Sequence, residues 1–153
     1  MTELPLFPDD SIEARRQTID ADILWLLTGH PGGPQNLTLS LDEKQVLTAI
    51  RYSRGAANAL TIRDMQQFKG CEELDARVIK NAVRTLRINF RIPIGSSKKG
   101  SGGGYFIMLT DDDHTILRGQ ILDQVRAELE VLKAVDGPRA ALELLGQLQL
   151  EVS

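Results

Sequence analysis

Residues 75–107 read DARVIKNAVRTLRINFRIPIGSSKKGSGGGYFI, and the order of patterns within them decides the fold. Asp75 can cap a helix, and Ile79, Ala82, Val83, Leu86 and Phe90 recur at the three- and four-residue spacing of one buried helical face. Arg77, Lys80, Asn81, Arg84, Arg87 and Arg91 recur in the same way on the other side. The spacing predicts a helix over 75–89. Two runs rich in β-branched and aromatic residues follow, and they predict strands over 91–95 and 105–109 joined by the glycine loop as a hairpin.

Charge singles out the same stretch. Seven of the chain's 18 Lys and Arg, and none of its 21 Asp and Glu, lie between Ala76 and Thr110. The whole chain of 153 residues has a formal charge of −3, so a strongly basic segment sits inside an acidic protein. A solvated helix face ordinarily mixes signs. A face of cations without a carboxylate, followed at once by Lys98 and Lys99, is the electrostatic footprint of a nucleic-acid contact.

The glycine loop invites a second reading, as a cradle for a nucleotide's phosphates. Such a loop lies between a strand and a helix, where backbone amides and the helix N-terminus meet the anion. Here a strand follows the glycines, both lysines precede them, and no Gly-Lys-Ser/Thr triplet occurs. No nucleotide cofactor is expected.

Outward from this stretch, Asp10 with Glu13 predicts a capped helix over 11–27, striped by Ile19, Ile23, Leu26 and Leu27. GHPGGPQN, residues 29–36, reads as linker. Ser40 and Glu43 form a capping box for a helix over 41–53 that turns Val46, Leu47, Ile50 and Tyr52 inward. A short strand at Ala59–Leu60 precedes a helix that starts at Thr61, with Asp64 three residues on, and ends at Gly70. Thr110–Asp113 caps a long helix to Val135, and Gly137-Pro138 separates it from a last helix over 139–150. This divides the chain into an arm (1–36), a central domain (37–110) and C-terminal helices (111–153).

Helix, short strand, helix, turn, helix, strand, basic glycine loop, strand: over residues 40–110 this order resembles the winged helix-turn-helix family. LRINFRIPIGSS…GGGYFIMLTDDD followed by a long helix is similar to small winged-helix proteins of phages and prophages. One departure is KGCEEL, a longer turn than the family's usual three or four residues. The resemblance implies an α+β fold, mostly helical, with a small hairpin wing and extra helices at both ends. It implies a non-catalytic protein that binds double-stranded DNA, in the role of a transcriptional regulator; a cytoplasmic location is expected instead from the acidic opening, the single cysteine and the lack of an apolar run long enough to span a membrane. The 75–90 helix would lie in the major groove and the 96–104 wing on the backbone. Arg77, Lys80, Asn81, Arg84, Arg87, Arg91, Ser97, Lys98 and Lys99 would then contact DNA, with Arg reading guanine and Asn adenine.

Three features lie outside that frame. ELPLF, residues 3–7, resembles the Gln-Leu-x-Leu-Phe peptide by which bacterial proteins bind the replication sliding clamp. Leu4, Leu6 and Phe7 match it, and Glu3 stands where glutamine is usual. It supports an alternative role as a prophage-type replication accessory or adaptor tethered to a clamp; the plainer reading has Leu6 and Phe7 tucked against the first helix. Leu117, Ile121, Leu122, Val125, Leu129 and Leu132 run at near-heptad spacing, continued by Leu142, Leu145 and Leu148, and predict a homodimer. His30 and His114 lack ligand-spaced partners and Cys71 is the only cysteine, so neither a metal site nor a disulfide is expected. No apolar run approaches the roughly 18 residues that span a membrane.

Overall fold

The computed structural model describes residues 11–98 and 103–152. Its elements are α1 (Ile12–Leu27), α2 (Leu41–Ile50), a 3₁₀ turn (Ala56–Asn58), α3 (Ile62–Met65), α4 (Ala76–Ile88), β1 (Ile94–Ser97), β2 (Gly104–Ile107), α5 (Asp111–Asp136) and α6 (Pro138–Val152). The fold is α+β: mostly helical, with one two-stranded antiparallel sheet. The chain divides into two compact units, the first ending at His114 and the second beginning at Thr115. Among the described residues no helix is long and apolar enough to cross a membrane.

In the first unit each long helix begins where local chemistry dictates. Ser40 Oγ accepts from the Glu43 amide, and Glu43 accepts from the Ser40 amide in return, closing a capping box on α2. Thr61 and Asp64 do the same for α3; the Thr61 amide holds the Asp64 carboxyl below its ordinary pKa. Asp75 caps α4 by accepting from the Val78 amide at 2.9 Å. Thr110 Oγ1 accepts from the Asp113 amide, and the buried Asp113 carboxylate accepts from the Leu109 and Thr110 amides. On α1 the cap is Ser11 rather than Asp10: its hydroxyl accepts from the Ala14 amide, which leaves Glu13 in the first turn and without a capping-box role.

The core lies between α2 and α4, with α1 and the hairpin closing it. Val46, Leu47 and Ile50 of α2 face Ile79, Val83 and Leu86 of α4, all essentially without solvent exposure. Ile23 and Leu26 bring α1 into the same cluster. Tyr52, expected inward, is 73% exposed because α2 stops at Ile50 and not Ser53. The Ser53 carbonyl is taken instead by the Ile107 amide of β2 at 2.6 Å, which pulls the chain out of the helix.

The hairpin pairs Ile94 with Ile107 and Ser97 with Gly104. Its first strand starts three residues later than the apolar run suggested. The Ile92 amide turns back to the Leu86 carbonyl at 3.0 Å, Pro93 has no N–H to give, and pairing begins only at Ile94. The second strand ends early for a matching reason, since the Met108 amide goes to the Pro93 carbonyl. The expected strand at Ala59–Leu60 is a single antiparallel bridge, Leu60 exchanging both amide bonds with Tyr105. Together with the Ser53–Gly55 segment it covers the outer edge of β2.

Two connections carry more structure than their composition suggested. In the 29–36 segment Gly32 and Leu37 exchange both backbone hydrogen bonds, and Gly33, at φ +71°, lies so close to the Asn89 carbonyl that any Cβ would collide with it. After α3 the Gln67 and Phe68 amides bond three residues back, which tightens and ends the helix at Met65, well before Gly70. The long turn is anchored by buried Cys71, whose thiol donates to the Gln45 carbonyl and is pushed up in pKa by burial, and by buried Leu74.

The second unit is α6 with the part of α5 beyond His114. Gly137, at φ +91°, supplies the turn between the helices.

Candidate nucleic-acid interface

The outward face of α4 is set by the same periodicity that buries its other side. At about 100° per residue, Arg77, Lys80, Arg84 and Asn81 fall opposite Ile79, Val83 and Leu86, and all four are exposed. No carboxylate lies within the helix. Among the described residues, Arg77, Lys80 and Arg84 take part in no ion pair, whereas Arg15, Arg16, Arg54, Arg126, Lys133 and Arg139 are all paired with acids. Three cations without an ion pair therefore share one face of this helix.

Between the start of α3, this face of α4 and the hairpin lies an open cleft of about 680 Å³. Arg63, Lys80, Arg87 and Lys98 line it, with Thr61, Ser96 and Ser97. Asp64 is the one acid on its wall, and its carboxylate is engaged by the Thr61 amide. The hairpin brings Lys98 to this cleft because β1 runs antiparallel to β2, which is itself tied to Leu60 just before α3. Cations from three elements thus converge on one concavity, a form suited to a phosphate chain.

The expected contact residues divide in three ways. Arg77, Lys80, Arg84 and Lys98 are exposed, and Lys80 and Lys98 share the cleft. Asn81 lies on the far side of the face, in a smaller depression with Asp42 and Glu43 at the start of α2. Arg87 is half-buried and fixed. Its Nε donates to the Ile94 carbonyl at 2.8 Å and its guanidinium lies 5.6 Å from the Tyr105 ring centroid. Its Nη2 is buried without a hydrogen-bond partner among the described residues, and burial lowers its pKa, although an arginine remains charged. Arg87 therefore ties α4 to the hairpin and adds positive charge to the cleft wall.

Arg91 lies beyond the end of α4 in the left-handed region, φ +56°, and is exposed but off the helical face. Ser97 is on the cleft wall with its residue largely buried, 7% exposed. Lys99 and the clamp-like Leu4, Leu6 and Phe7 lie outside the described residues.

Two residues that the periodicity did not single out join the surface. Arg63 enters the cleft from the first turn of α3; its signal was its place two residues after the capping Thr61. Ile88 is 57% exposed and sits by helical rotation between Arg84 and Asn81. An apolar side chain among cations suits contact with sugar or a thymine methyl.

Elsewhere, His30 stacks on Trp25 with ring centroids 3.8 Å apart. Among the described residues no group of His, Cys, Asp and Glu could hold a metal ion. Comparison with protein-family models, curated proteins and solved structures returns no match.

Proposed function

We propose that the chain is a winged helix-turn-helix protein that binds double-stranded DNA without catalysis, and that it acts as a transcriptional regulator. The observation that carries this reading is the carboxylate-free, unpaired cationic face of α4 continuing into the cleft between α3 and the hairpin. In it, α3 and α4 are the helix-turn-helix and the hairpin is the wing. With α4 in the major groove, Arg77 and Arg84 reach base edges and Asn81 reads the neighbouring step, while Arg63, Lys80 and Lys98 neutralise phosphates along one strand. The division of labour follows from position: side chains at the centre of the face meet bases, and those on the cleft side meet the backbone.

Selection of bound sequences from a random duplex library tests the regulatory role. A regulator enriches a discrete consensus over several rounds. Duplex binding with no enriched sequence, together with capture of a sliding clamp by a peptide carrying ELPLF, would replace it with the clamp-tethered replication accessory.

A further inference from the structure

We propose that the open apolar groove between α5 and α6 is filled by the same groove of a second copy of this chain, making a four-helix dimer. The inference stands apart from DNA binding. It begins with how little the second unit buries by itself. Of residues 115–152, Ala141 is the one buried residue, while twelve Ile, Leu and Val side chains are exposed. Units under about 40 residues fold with help from disulfides, metals or association. This one has no cysteine and, among its described residues, no metal-binding group. Association is what is left.

The groove has the shape for it. It encloses about 450 Å³, walled by Ile121, Val125, Leu129 and Leu132 from α5 and by Leu144 and Leu148 from α6. Leu122, Val125, Leu129 and Leu132 alternate three- and four-residue steps, the spacing of a seam that takes knobs from a facing helix. At roughly 60–100 Å² for each half-exposed side chain, covering most of them on two copies removes about 1,000–2,000 Å² from water, the size of a specific interface.

The charges favour a second copy over an unlike partner. Asp123 pairs with Arg126, Glu130 with Lys133 and Arg139 with Glu143, each within its own helix. Over residues 115–153 four Lys and Arg stand against six Asp and Glu, three of each paired in this way, so the surplus is only two acids and the apolar seam, which can complement itself about a two-fold axis, dominates the surface.

Sedimentation of the full chain without DNA, at tens of micromolar, tests the dimer. The wild type is expected at twice the 16.9 kDa chain mass, and Val125→Glu/Leu148→Glu at one chain mass. Both positions are partly exposed, at 40% and 44%, so the variant places no charge in a closed core and the first unit should still unfold cooperatively. A wild-type mass of one chain, or of more than two, overturns the proposal. So does a doubly substituted variant that stays dimeric.

Discussion

Replacing Arg77, Lys80 and Arg84 together by glutamate should abolish measurable binding to duplex DNA and leave the first unit folded. Each substitution exchanges a cation for an anion on a face that has no other acid within the helix. A lost base or phosphate contact of this kind costs about 1–3 kcal/mol, so three should lower affinity by roughly 100-fold or more even before repulsion is counted. Folding should barely respond, because exposed side chains without partners contribute within about 0.5 kcal/mol. Near the α4 N-terminus, Arg77→Glu even favours the helix dipole. Fluorescence anisotropy on a labelled duplex, run beside thermal unfolding, separates the two quantities. Unchanged affinity would move any DNA site off α4.

The second large effect comes from the same helix, two residues further on. Leu86 is fully buried against α2, and its truncation in Leu86→Ala should cost about 2–5 kcal/mol of stability. Against a total of roughly 5–15 kcal/mol for a domain, that lowers the denaturant midpoint substantially. DNA affinity of the fraction still folded should stay close to wild type. A cost under about 0.5 kcal/mol, the range of surface substitutions, would mean that the two faces of α4 have been exchanged.

How much of this was legible beforehand varied with the physics involved. The start of α4 and its two faces were readable because an N-cap and a 3.6-residue period are local signals, and Asp75, Ile79, Val83 and Leu86 supply both. The capping boxes at Ser40 and Thr61 were readable for the same reason. The ends of elements were not, because distant partners decide them. Nothing near Ser53 says that its carbonyl will be claimed by Ile107, and nothing near Ile92 says that its amide will return to Leu86.

The candidate surface divides along the same line. Exposure of Arg77, Lys80 and Arg84 followed from periodicity, but the fixing of Arg87 on the Ile94 carbonyl depends on where the hairpin lies. Arg63 escaped notice because α3 is one turn long and presents no stripe; only the cleft reveals it. Asn81, read as part of one cationic face, shares its depression with two acids of α2, a juxtaposition that no spacing within α4 encodes.

Affinity of the unmodified chain for duplex DNA, measured across a series of salt concentrations, bears on DNA binding without any substitution. Each phosphate neutralised by Lys or Arg releases condensed counterions and adds about 0.9 to the magnitude of the slope of log affinity against log salt. With Arg63, Lys80 and Lys98 on the backbone and help from the remaining cations of α4, the expected slope lies between about −3 and −6. A slope near zero, or no binding to duplex at low salt, would contradict the assignment of α4 and its cleft to DNA.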